Sequence, residues 1–151
     1  MRIAEVKATE KIDECHGLLM AHREELTTHK HIMALKPDVA RYKQLEDAGA
    51  LVTLVLYDDD VIVGYSVTIL THALHYEDLA MAVNDLIFVR RDLRKGRWGF
   101  KLIAETERIA KERLGGRPVL ITFHGKPDTP FAGIMPRLGY AVQDIIFSKE
   151  L

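Results

Sequence analysis

The spacing of apolar side chains changes period several times along the chain, and each change marks a new element. Residues 2–7 alternate apolar and polar, which predicts a strand. Over residues 10–31, Ile12, Cys15, Leu18, Leu19, His22 and Leu26 recur every three or four positions, which predicts one long helix. Pro37 and Asp38 then open a shorter helix with Val39, Tyr42 and Leu45 on one face, stopped by Gly49. Two runs rich in Val, Ile, Leu and Thr, at 50–57 and 61–70, flank the turn Asp58-Asp59-Asp60 and predict a hairpin. Residues 71–79 read as a loop, and 82–89 as a further strand.

The clearest helix follows. Trp98, Leu102, Ile103, Thr106, Ile109, Ala110 and Leu114 repeat at helical spacing, and Gly115-Gly116 ends the run. Residues 118–123 are continuously apolar, as in a strand buried at a sheet centre. Thr129 before Pro130 signals a brief helix ending near Leu138-Gly139. Residues 140–148 predict a last strand. The order is strand, two helices, three strands, helix, strand, helix, strand, an α/β arrangement without repeats or linkers over a single domain, 1–151.

Composition narrows the classes. With 151 residues and 48% hydrophobic content, the chain can bury a core without disulfides or structural metal. The single Cys15 has no internal disulfide partner and sits in a helical pattern, so it reads as a packed thiol. No apolar stretch reaches the roughly 18 residues of a membrane span, and the N-terminus lacks a signal peptide's apolar region, so a cytoplasmic location without membrane contact is expected. Three adjacent aspartates on a tight turn rarely converge on one ion, and no metal is expected. A net charge of −1 argues against nucleic-acid binding.

Residues 90–97 are the local exception. After the strand ending at Val89 come Arg90, Arg91, Arg94, Lys95 and Arg97, with Gly96 and Gly99 where the helix opens. A helix N-terminus carries unpaired N–H groups and a partial positive charge, and glycines let an anion approach the backbone closely. The combination suits a phosphate group better than a merely solvated basic loop. The absence of Gly-x-Gly-x-x-Gly, or of Gly-Lys-Ser/Thr, sets dinucleotide and P-loop sites aside.

Read in register, Val89-Arg-Arg-Asp-Leu-Arg94-Lys-Gly-Arg-Trp-Gly99 resembles motif A of the GNAT superfamily of N-acetyltransferases, with Val89, Asp92, Arg94 and Gly99 in place. Ile134-Met-Pro-Arg-Leu-Gly139-Tyr140 resembles that family's Leu-Tyr-x-x-Leu-Gly-Phe. The resemblance implies a mixed, mostly antiparallel central sheet with helices on both faces. Only 12 residues follow Gly139, so the C-terminal strand region is shortened, with room for one full strand or for a strand completed by another chain, as in a homodimer. It also implies acetyl-CoA as co-substrate. Backbone groups of Ile87, Phe88 and Val89 would then line the pantetheine arm and the oxyanion, and those of Arg94, Lys95, Gly96, Arg97, Trp98, Gly99 and Phe100 would hold the diphosphate. The acceptor would be a primary amine, on a small molecule or a protein, attacking the thioester directly.

Such an amine must lose a proton, so a base is needed. Asp85, on the strand feeding the turn, is the first candidate, with a raised pKa if buried unpaired; a capping or paired carboxylate is the alternative. Strand alternation would place Asp85, Ile87 and Val89 on one face and Asn84, Leu86 and Phe88 on the other. His75, Glu77 and His124 are further polar candidates near this strand or across the slot. Two departures bear on activity. Arg97 replaces the first of the two usual glycines, and Met135 stands where many members carry the tyrosine that protonates the departing thiolate. A protein that binds acetyl-CoA without turnover is therefore the competing reading.

Overall fold

The computed structural model describes residues 1–127 and 129–151. Five strands form one sheet in sequential order: β1 (Arg2–Val6), β2 (Leu51–Asp58), β3 (Val61–Ala73), β4 (Tyr76–Val89) and β5 (Val119–Phe123). The first three pairings are antiparallel, and β4 pairs with β5 in parallel from Ala80↔Val119 to Asn84↔Phe123. Parallel neighbours need a crossover. The 17-residue helix α4 (Trp98–Leu114) supplies it, packing Leu102, Ile109 and Ala110 against Val52, Leu54, Leu56 and Val63 and burying Ile103 and Thr106 as well. On the opposite face, α1 (Ala8–Lys11), α2 (His16–Leu26) and α3 (Val39–Asp47) cover Val55, Tyr65, Val67 and Phe88 with Leu18, Leu19, Tyr42 and Leu45. Helices on both faces and a mostly antiparallel sheet agree with the sequence.

The caps agree too. Asp38 accepts from the Arg41 N–H at 2.9 Å, and Thr129 from the Ala132 N–H at 3.3 Å to open the short α5 (Pro130–Ile134). A 3₁₀ turn, Met135–Leu138, follows, and Gly139 closes it at φ +87°. At the β2–β3 turn Asp59 takes φ +52°, a conformation that Asp tolerates better than most residues.

Three expectations are corrected. The helix over 10–31 divides at Ile12–Cys15 and stops at Leu26, where Thr27 turns extended. Arg23 holds the chain folded back there, donating to the carbonyls of Met33 at 2.8 Å and Lys30 at 2.6 Å. The loop expected over 71–79 is mostly strand, because β3 and β4 continue as a hairpin beyond the core and leave Leu74-His75 at its tip. Ladder hydrogen bonds need no apolar side chains, so the hydrophobic pattern did not reveal this extension. The last strand, 140–148, does not form. Ile145-Ile146-Phe147 puts apolar groups on both faces with no surface to bury either, and Val142, Ile145, Ile146 and Phe147 are 72–89% exposed. The segment is tied by Ser148 to His29 at 3.1 Å and by Glu150 to His31 at 2.7 Å. Among the described residues, no helix is long and apolar enough to span a membrane.

The feature that shapes the site is a β-bulge in β4. Thr68 pairs with Asn84 and Val67 with Leu86, which leaves Asp85 as the extra residue. Side-chain parity flips there: Ala82 faces α4 before the bulge, and Ile87 and Val89 face it afterwards. Asn84, expected on the face of Leu86 and Phe88, instead lies on the α4 side, at 1% exposure. Its amide donates to Ser66 Oγ and Thr68 Oγ1, both at 2.9 Å, and to the Val67 carbonyl at 3.2 Å. Ser66 meets Thr106 of α4 at 2.9 Å, and Thr106 donates to the Leu102 carbonyl at 2.8 Å. Replacing Asn84 by Ala strands buried acceptors and is expected to cost about 2–3 kcal/mol, read as a lowered urea midpoint with unchanged slope.

Candidate active site

β5 accompanies β4 only as far as Asn84, so beyond the bulge residues 85–89 have β3 on one side and no strand on the other among the described residues. A slot opens there, between the end of β4 and the end of β5. A 3₁₀ turn, Arg91–Leu93, and the loop 94–97 lead from it into α4. Within this turn the Leu93 N–H reaches the Arg90 carbonyl at 3.0 Å, and the Gly96 N–H reaches that of Leu93 at 3.3 Å. The N–H groups of Lys95, Arg97, Trp98, Gly99 and Phe100 have no partner among the described residues. Arg97 provides no side-chain cap, and the first turn of α4 holds no acid.

The turn could hold an anionic group. A Cβ built on Gly99 meets nothing within 4 Å, so open space lies in front of the helix start. On Gly96 it would meet only ordinary contacts, 3.6 Å from the Leu93 carbonyl and 3.9 Å from the Trp98 ring. Of the basic side chains, Arg90 is paired with Asp92 at 2.8 and 3.0 Å, and Lys101 lies over the Trp98 ring at 4.2 Å. Arg91, Lys95 and Arg97 have no ion pair among the described residues and direct their charge to solvent around the turn. Phe100 is 41% exposed.

Ile87, Phe88 and Val89 line the slot from β4, with Phe88 and Val89 buried. The Val89 carbonyl accepts from Arg94 Nε at 2.7 Å, while the Arg94 guanidinium lies 4.7 Å from the Phe88 ring centre and forms a bidentate pair with Glu25 of α2. His22, one helical turn before Glu25, stacks on Phe88 at 4.8 Å and 10°, and its Nδ1 meets the Tyr65 hydroxyl at 2.6 Å. Burial lowers the His22 pKa, only partly opposed by the Glu25 charge, and burial raises that of Tyr65. Both shifts favour the neutral forms near pH 7. The Arg94 hydrogen bond holds the Glu25 carboxyl below its ordinary value. Sequence reasoning placed His22 on a helix face and gave Tyr65 no role, because residues 43 positions apart carry no local signal of meeting.

Asp85 stands at the mouth of the slot. It is exposed, so the buried, unpaired setting considered for a base is not met; a bulged residue leaves the ladder and turns toward solvent. Its charge, after burial, helps to raise the pKa of Tyr42 on α3. His124 directly follows β5 at the same end of the sheet. His75 and Glu77 do not join them: the hairpin extension carries Glu77 eight residues from Asp85, about 26 Å along the strand at 3.3 Å per residue. Met135 begins the 3₁₀ turn after α5, and the nearby Tyr140 hydroxyl is committed to Glu107 at 2.6 Å, its ring edge-on to Phe123 at 5.5 Å. Cys15 is buried, its thiol pushed up to about 11, as suits a packing residue. A separate open groove of about 470 Å3, lined by Glu5, Lys7, Glu10, Glu46 and Arg113, lies away from the slot.

The sequence matches no family model, and no curated protein matches it significantly. Solved structures do match over nearly the whole chain. Ribosomal-protein-alanine N-acetyltransferase from Brucella melitensis biovar Abortus 2308 superposes with a TM-score of 0.74 at 18% identity, covering 99% of this chain and 97% of that one. Aminoglycoside N-acetyltransferase AAC(6')-Iy in complex with CoA gives 0.68 at 17% identity, with 99% of each chain covered. The fold is that of the GNAT acetyltransferases. An aminoglycoside acetyltransferase, meta-AAC0020, from an uncultured soil metagenomic sample, solved with sisomicin, shares this GNAT fold at 0.72 and 18% identity, over 99% of this chain and 95% of that one. The GNAT arrangement expected from the sequence is thus present, with the glycine turn following β4 and opening α4.

The depressed His22 pKa sets a pH dependence. Its stabilising contribution is complete above the unfolded value of about 6.5 and is lost as pH falls from there through the folded value. The His22→Gln variant is expected to lose less stability between about pH 7 and pH 5 than the parent, measured by urea titration at each pH.

Proposed function

We propose that the protein transfers an acetyl group from acetyl-CoA to a primary amine. The observation that carries this reading is the set of unpaired N–H groups on Lys95, Arg97, Trp98, Gly99 and Phe100 beside a slot opened by the β4 bulge, on a GNAT fold. One structural neighbour was solved with CoA, and others are named for aminoglycosides or for a ribosomal-protein alanine. Those acceptors differ in size but share an amine, which supports the substrate class and leaves both small-molecule and protein acceptors within it.

In this reading, Lys95 and residues 97–100 hold the diphosphate through main-chain N–H groups, Gly96 gives it close backbone access, and Arg91, Lys95 and Arg97 add a positive field. Ile87, Phe88 and Val89 border the pantetheine arm, and a main-chain N–H on the open edge of β4 stabilises charge developing on the carbonyl oxygen. Acetyl-CoA supplies an activated acyl group, whose C–S bond breaks as the amine nitrogen bonds to the acetyl carbon. The amine reaches the site mostly as ammonium, with a pKa of about 10.4. Asp85, exposed at the slot mouth, attracts that cation and passes its proton through water to solvent. The thiolate takes its proton from solvent, since residue 135 is Met and the Tyr140 hydroxyl is held by Glu107. That same pair of facts favours the second reading, cofactor binding without turnover.

Thiol release from acetyl-CoA across an amine panel separates the two: release with at least one amine is expected, and CoA binding with no release for any amine supports the second. Replacing Gly99 by Val fills the space in front of the helix and is expected to weaken CoA binding at least tenfold in calorimetry while Tm changes little; unchanged affinity counts against the site.

A further inference from the structure

The basic residue that opens the glycine turn is spoken for inside the protein. Arg94 donates through Nε to the Val89 carbonyl at 2.7 Å, through Nη2 to Glu25 Oε2 at 2.8 Å, and through Nη1 to Glu25 Oε1, while its plane lies over the Phe88 ring. These contacts fix the guanidinium in one orientation. One bond ties the end of β4 to the start of the turn, across five residues. The other two tie the turn to the last turn of α2.

α2 grips the slot at a second point on the same face. His22 and Glu25 are three residues apart on one helix, so both side chains point the same way, and His22 packs on the Phe88 ring that Arg94 also covers. The His22–Tyr65 bond carries the contact to β3. The helix is thereby bound to β3, to β4 and to the turn, all around the phosphate end of the slot.

We propose that Glu25 and Arg94 act together as a brace that positions the turn, so that the diphosphate is held by the main chain of 95–100 rather than by the Arg94 side chain. This rests on the acetyl-CoA reading above and assigns α2 a part in cofactor binding. Two observations favour a brace over a ligand. The guanidinium already has a bidentate carboxylate partner, and three other cations, Arg91, Lys95 and Arg97, are left without ion pairs among the described residues to face an anion. Were Arg94 instead the anion's own ligand, Glu25 would compete with the diphosphate for it and would also repel the incoming charge. The two roles therefore predict opposite signs for the same substitution.

The test is a double-mutant cycle with Glu25→Gln, Arg94→Gln and the pair together, measuring CoA affinity by calorimetry and, with an accepted amine, KM and kcat. A brace predicts that Glu25→Gln weakens CoA binding about twofold to fivefold, the upper part of the range for a partly exposed ion pair. It also predicts that the double variant binds no worse than the weaker single one. The effect is expected in the KM for acetyl-CoA with kcat nearly unchanged, and Arg94→Lys is expected not to restore affinity, because a point charge cannot reproduce the fork. Tighter or unchanged binding in Glu25→Gln overturns the brace and leaves the acetyl-CoA reading standing, whereas no CoA binding by the parent protein overturns that reading itself. Amide hydrogen exchange in the ligand-free protein decides the brace independently of any cofactor. The hydrogen-bonded amides of the turn, Leu93 and Gly96, are expected to exchange faster in Glu25→Gln than in the parent, and equal rates overturn the proposal.

Discussion

One buried amide sets the shape of the slot. Asn84 donates to two hydroxyls and a carbonyl of β3, and one of those hydroxyls bonds on to α4, so the residue beside the bulge is held from both the sheet and the crossover helix. With Asn84 fixed, Asp85 must leave the ladder, and the remainder of β4 advances with its side-chain parity reversed. The parallel partner β5 keeps pace with β4 up to that residue and no further. Polar atoms in a core are costly unless satisfied. Here each of the four side chains has a partner, and the return on that arrangement is an opening at a defined place in an otherwise continuous sheet.

Much of the architecture was legible in the sequence because it depends on local periodicity. α4 shows its buried stripe directly, Asp38 and Thr129 stand where caps belong, and the basic glycine turn lies between a strand and a helix, as its spacing indicated. The bulge was not legible. A period-two pattern is unchanged by one extra residue except in its phase, and the mixed sequence around Asn84-Asp85 offered nothing to mark the shift. Asn84 was thus put on the wrong face, and of the two settings left open for Asp85 the buried one is not found.

The contacts around Phe88 were hidden for another reason. His22, Glu25, Tyr65, Phe88 and Arg94 come from a helix, two strands and a turn, and their chemistry arises only when the helix lies across the sheet. In the sequence Glu25 is one acid among many, and His22 one member of an apolar stripe. The C-terminal segment shows the converse failure. Its composition is strand-like, but a strand exists only through a neighbour, and none of the described residues offers it one.

The parallel pairing of β4 with β5 also bears on the order in which the molecule assembles. The β2–β3 and β3–β4 hairpins join neighbouring stretches, whereas Ala80 and Val119 must meet across the whole of the turn and α4. Closing so long a loop is slow compared with zipping a hairpin. The central meander is therefore the early part of the folding route, and the cleft that would receive a cofactor comes into being only when the crossover is complete.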